Sequence, residues 1–178
     1  TTAMIARRVG EGDNDGASVS AVQSIYLALI ISVPIMICGI FFSEYLLRLM
    51  GATNEVISEG SGYTRLTLGF NLIVILLFLI NGIFRGAGDA ALAMRSLWIA
   101  NSINIVLDPM LIFGIGPFPE LGIEGAAVAT IIGRSFGIIY QLYHLGKGKG
   151  LIKIHKDNWH FKPIIIWKLV KLSSGVTA

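Results

Sequence analysis

The chain has 178 residues, of which 54% are apolar and only 14% charged, with a formal net charge of +3. A water-soluble domain carries about 45–50% apolar and about 25% charged residues, so this chain has too little polar surface to face water all round. That balance excludes an ordinary soluble enzyme or nucleic-acid-binding domain and points to a polytopic, all-α membrane protein.

Residues 1–6 of "TTAMIARRVG" read as the tail of an earlier helix, and the stretch has neither an initiator Met nor a signal-peptide layout. With an end at "KLSSGVTA" that carries no terminating feature, the chain is expected to be a piece of a longer one. A hydrocarbon core about 30 Å thick takes about 20 helical residues to cross, and four segments reach that length. The first, Ala17 to Ser43, is free of charge and holds Pro34 and Cys38, the single cysteine, for which core packing is expected. The second, Leu66 to Phe84, is nineteen uncharged residues. The third, about Ala93 to Gly114, is uncharged after Arg95 except for Asp108. The fourth, about Leu121 to Gly146, is interrupted by Arg134. From Lys162, "KPIIIWKLVKLSSGVTA" reads as the interfacial start of a further helix, with Trp167 and lysines flanking an apolar face.

Charge placement orients the spans. Arg7, Arg8, Arg85, Arg95, Lys147, Lys149, Lys153, Lys156 and Lys162 all fall on one side if the four crossings alternate. Basic loops stay in the cytoplasm, so that side is inner and the positive charge reports topology, with no nucleic-acid footprint. Arg48 and the acids Glu44, Glu55, Glu59, Glu120 and Glu124 then lie on the outer side, where Arg65 snorkels to the interface. Two inner turns echo one another: "GEGD" (Gly10–Asp13) and "GAGD" (Gly86–Asp89) each follow an arginine. Glycine permits positive φ there and the Asp can cap the next helix, a trace of duplicated helix–turn–helix units.

The third span poses the functional question. On a helix, Asn101, Asn104 and Asp108 fall at roughly 0°, 300° and 340°, one narrow stripe, while Ile103, Ile105, Val106, Leu107 and Met110 cover the rest. Such a carboxylate is costly in lipid, so the stripe must face other helices or a hydrated cavity. Pro109 frees the carbonyl of Ile105 and favours a kink. The result is an oxygen-rich place for a proton or a small hard cation such as Na⁺. In the fourth span Thr130 and Arg134 share a face, Thr130 at a depth similar to that of Asp108 and Arg134 one turn deeper, near the level of Asn104. An Asp108–Arg134 pair that merely joins two helices is the alternative. Asn81, near the inner end of the second span, either lines the same cavity or holds helices together. His144, His155 and His160 lack metal-ligand spacing and read as surface residues. No phosphate loop, zinc motif or nucleophile elbow occurs.

Together "ARRVGEGD", "NGIFRGAGDA", "NIVLDP" with "LIFG", and "GIEGAAVATIIGR" resemble the amino-terminal half of a MATE (multidrug and toxic compound extrusion) transporter over essentially the whole chain. That family has twelve helices in two six-helix lobes and exports organic cations in exchange for H⁺ or Na⁺. The resemblance implies that residues 1–146 run from the end of helix two to helix six of the amino-terminal lobe. Residues 147–161 would be a cytoplasmic basic loop and 162–178 the start of helix seven. It also implies a multi-pass chain of the plasma (inner) membrane, with small cationic molecules, the bilayer and a carboxy-terminal lobe as partners. No cofactor beyond the coupling ion and no enzymatic activity are expected. The family's cation and proton site falls on Asn104, Asp108 and Thr130, with Asn81 as a further matching position; Asn101 and Arg134, from their places on the helices, are expected to line the same cavity. A carboxylate at Asp108 is similar to the branch that includes the archaeal and DinF-like members. A further family acid, in the first helix, lies outside these 178 residues, and Arg134 matches no family feature.

Two other functions fit parts of the pattern. "GAGD" with a second membrane aspartate is also similar to intramembrane aspartyl proteases. Asp89 and Asp108, however, stand nineteen residues apart, roughly 28 Å along one helix, too far to share a proton. A lipid-linked sugar flippase of related build would need more cationic residues within the spans.

Overall fold

The computed structural model describes residues 1–147, 159–160 and 163–173. Lys149, Lys153, Lys156, Lys162 and His155, expected on the inner surface, lie outside the described residues, which contain helices and no strand. In chain order the helices are α1 (Thr2–Gly10), α2 (Asn14–Leu49), α3 (Asn54–Gly69), α4 (Asn71–Gly86), α5 (Ala90–Ile112), α6 (Ile123–Lys147) and α7 (Pro163–Ser173). By length and composition α2, α5 and α6 can each cross a bilayer, and the bent pair α3–α4 makes a fourth candidate span. Among the described residues Ile31, Trp98, Ile105 and Ile164 are at least half exposed, as befits helices that hydrocarbon solvates.

The chain divides into two compact units: Thr1–Ile30, Leu76–Ser96 and Ile138–Ala178 form one, Ile31–Ile75 and Leu97–Gly137 the other.

In the first unit α1 packs on α4 where Gly86 leaves room. A Cβ at Gly86 would stand 2.7 Å from the Thr2 carbonyl oxygen. Ile5, Val22, Leu77, Ile80 and Ile83 fill its core. Ser18 and Ser24 are buried too, and each hydroxyl donates to the carbonyl four residues back, Asn14 and Ser20. A polar side chain bonded within its own helix can be buried without leaving an orphaned group. Gln23 Nε2 and the Tyr26 hydroxyl donate to the carbonyls of His160 and Trp159. Arg7 Nε donates to Glu11 at 2.8 Å, a contact that raises the guanidinium pKa above its ordinary value.

The two echoed turns have the same geometry. Gly12 (φ 78°) and Gly88 (φ 84°) take the left-handed conformation. Their N–H groups donate to Val9 and Arg85, and those of Asp13 and Asp89 donate to Arg8 and Phe84, the paired closure of a Schellman turn. Each aspartate then accepts from the N–H three residues on, Gly16 for Asp13 and Leu92 for Asp89. Asp89 is thus a helix cap.

The second unit corrects two expectations. The uncharged run Leu66–Phe84 is not one helix: α3 ends at Gly69, α4 starts at Asn71, and the axes bend by 44°. At the break the Asn71 amide donates to the Leu68 carbonyl at 2.6 Å, competing for an acceptor that a continuing helix would use, and to the Ser32 carbonyl of α2 at 3.3 Å. The start of α3 is capped by Thr53, so Glu55, Glu59 and Arg65 lie on a helix rather than in a loop. Cys38, expected in the core, is exposed. It shares the apolar outer face of α2 with Ile31, Pro34, Ile35 and Phe41, so burial within the chain has no hold on it.

Candidate functional site

Helix α5 runs unbroken through Pro109 to Ile112. Its carbonyls of Met110, Leu111 and Ile112 are satisfied by the N–H groups of Ile115, Leu121 and Gly122 in the following loop, so the segment ends without orphaned acceptors. On its polar stripe Asn104 and Asp108, one turn apart, are both half-buried. Asn104 Nδ2 donates to Asp108 Oδ1 at 3.0 Å and to Thr130 Oγ1 of α6 at 3.2 Å. One carboxamide thereby orients a carboxylate and a hydroxyl from two helices. The carboxylate is held by an amide, not by a guanidinium. Arg134 lies half-buried one turn beyond Thr130, and Asn101 is exposed at the other end of the stripe.

Spacing alone does not reveal what brings Thr130 into reach. Gly125, Ala129 and Gly133 repeat every four residues along α6 and are buried. A Cβ at Gly133 would come 2.6 Å from the Ala100 carbonyl and 3.3 Å from the Asn104 nitrogen; one at Gly125 would come 2.5 Å from the Leu111 carbonyl. Small residues at such spacing let two membrane helices approach backbone to backbone. The signal stood in "GIEGAAVATIIGR", where these glycines carry a contact and not a turn.

The cluster offers hard oxygen donors with a single formal charge: the Asp108 carboxylate, the Asn104 amide oxygen and the Thr130 hydroxyl. That set suits a proton or a small hard cation. Among the described residues no three His, Cys, Asp or Glu side chains could hold a metal ion together.

The MatE family profile matches residues 1–110, more than half of the chain. The chain belongs to the MatE family. It is similar to the FAD transporter of Shewanella oneidensis, 34% identical over 127 residues, which are 71% of this chain and 28% of the relative. It is also similar to the probable multidrug resistance protein NorM of Thermotoga maritima, 30% identical over 158 residues, 85% of this chain and 34% of that one. A solved MOP superfamily transporter from Pyrococcus furiosus matches with a TM-score of 0.86 at 32% identity, covering 97% of this chain and 38% of that one. The chain therefore spans about a third of the length of these MatE-type relatives.

In this MatE chain Asn81 belongs to the first unit, in a second polar cluster. It is 2% exposed, and its Oδ1 stands 3.0 Å from the Ser96 hydroxyl of α5, whose single proton it shares with the Ala93 carbonyl at 2.7 Å. Gln141 Nε2 of α6 donates to Ser96 Oγ at 2.9 Å and to the Leu77 carbonyl of α4 at 3.4 Å. Sequence reading passed over Ser96 and Gln141, because single polar residues at helix spacing carry no motif. The cluster joins three helices of the MatE chain. Ser96→Ala removes the donor to Asn81 and the acceptor for Gln141 together. It should lower unfolding stability by about 1–2 kcal/mol, read by chemical unfolding of the purified protein; a change within error would mean the contact is incidental.

Proposed function

We propose that this chain forms part of the amino-terminal lobe of a two-lobe secondary antiporter of the plasma membrane. It exports organic cations in exchange for H⁺ or Na⁺ and has no enzymatic activity. The carboxy-terminal lobe of the same longer protein is its partner, and its basic loops face the cytoplasm. The observation that carries the reading is the Asn104–Asp108–Thr130 cluster, a single carboxylate oriented by hydrogen bonds within candidate membrane spans.

In this scheme the coupling ion binds at Asp108 from outside, with Asn104 and Thr130 supplying neutral oxygens. Ion occupancy changes the bend of α5 at Pro109, and Asn101 and Arg134 border the space that the substrate leaves, while Asn81 stays in its buried cluster with Ser96. Exchange requires that ion and substrate favour different states, because a ligand shifts an equilibrium only by its differential affinity.

The relative from Shewanella oneidensis is described as an FAD transporter, which favours a second reading: an anionic, nucleotide-like substrate with Arg134 as its counter-charge. One experiment separates them. The full-length transporter in proteoliposomes is loaded with ethidium or with FAD, and efflux is followed after a pH or a Na⁺ jump. Ethidium efflux driven by either gradient supports the first reading, and FAD efflux supports the second. Efflux of neither under both gradients would overturn the antiporter.

A further inference from the structure

A cavity of about 410 Å³ opens between the last turns of α2 and helix α3, lined by Phe41, Ser43, Glu44, Tyr45, Arg48 and Arg65. Arg48 stands in the final turn of α2 and Arg65 in the second half of α3. Neither guanidinium has an ion-pair or hydrogen-bond partner among the described residues, and both are exposed. Two like charges that open on one cavity repel one another, and the repulsion grows where water is thinned. A shared anion relieves it.

We infer that Arg48 and Arg65 grip the phosphodiester of a bilayer lipid whose headgroup also carries hydrogen-bond donors. A guanidinium presents a planar fork that matches a phosphate's oxygens, so two of them can hold one phosphodiester from both sides. Glu44, on the same cavity, accepts from the ammonium of an ethanolamine headgroup or the hydroxyls of a glycerol one. Two arginines and one glutamate leave the cavity one positive charge, which complements a singly negative headgroup. Phe41 and Tyr45 are 74% and 63% exposed. Aromatic rings at the ends of spans sit at headgroup level, so both are placed to lie along the lipid's glycerol region. The cavity has the volume of a small-molecule site; it holds a headgroup, and the acyl chains remain in the bilayer.

The test uses the full-length transporter, delipidated in detergent. Phosphatidylglycerol, phosphatidylethanolamine, phosphatidylcholine or inorganic phosphate is titrated in, and retained lipid is counted by native mass spectrometry. Arg48→Gln with Arg65→Gln should weaken phosphatidylglycerol retention at least about tenfold. Lysine at both positions should fall between that variant and the parent, because charge without the fork restores part of the grip. Glu44→Gln, which leaves both arginines in place but removes the carboxylate that pairs with an ammonium, should reduce the preference for phosphatidylethanolamine over phosphatidylcholine. Unchanged retention in the double glutamine variant, an unchanged headgroup preference in Glu44→Gln, or equal competition by inorganic phosphate would overturn the assignment.

Discussion

Asp108→Asn should reduce ion-driven export to background while leaving expression and fold intact. The substitution is nearly isosteric, and an amide oxygen at position 108 can still accept from Asn104 Nδ2, the donor that now stands 3.0 Å from the carboxylate. Only the charge is lost. A bond to a charged group contributes about 1.5–3 kcal/mol, so Na⁺ affinity should fall roughly ten- to hundredfold, and proton uptake at this position should be lost because an amide does not take up a proton at neutral pH. Proteoliposome flux under an imposed gradient measures the loss, and the unfolding midpoint checks the fold. A variant that exports at the parent rate would remove Asp108 from the coupling step. Asp108→Glu keeps the charge but displaces it by one methylene, and should retain part of the flux.

Gly133→Val should have the largest effect on stability and damage the same site from behind. The first carbon added would stand 2.6 Å from the Ala100 carbonyl oxygen. That oxygen belongs to helix backbone and cannot rotate aside, so α5 and α6 must move apart around this contact. Overpacking of this kind costs about 1–3 kcal/mol. The Asn104–Thr130 bond, at 3.2 Å, is already at the long end of the usual range, and a few tenths of an ångström would break it. Stability and ion affinity should therefore fall together. Gly146→Ala is the matched control: it lies in the same helix, and an added Cβ there would meet nothing within 4 Å. That change should be neutral or stabilising by about 0.5–1 kcal/mol. If both variants unfold alike, close approach at Gly133 is not what holds the pair.

The contrast between these glycines shows where sequence reading stops. The three long spans follow from composition, because hydrocarbon forces any crossing segment to close its own backbone hydrogen bonds. The Asn104–Asp108 bond follows from a spacing of four. The turns at Gly12 and Gly88 follow from residues adjacent in sequence, as do the caps from Asp13 and Asp89. Each is a contact whose partners lie within about six residues, and local geometry settles it.

Other features depend on how each helix is rotated against its neighbours, and no short-range pattern encodes that rotation. The break at Phe70 uses an Asn71 bond to Ser32, a residue of another helix. Cys38 is exposed because its face of α2 points away from the rest of its unit. Asn81 found Ser96 and Gln141 rather than standing alone. Thr130 reaches Asn104 only because Gly133 presents a bare backbone to Ala100. The sequence by itself determined the three long spans and which polar side chains share a face, since the first follows from composition and the second from the period of a single helix. The tertiary structure alone decided which faces meet and how closely, because that depends on side-chain volume at the contact summed over two helices at once.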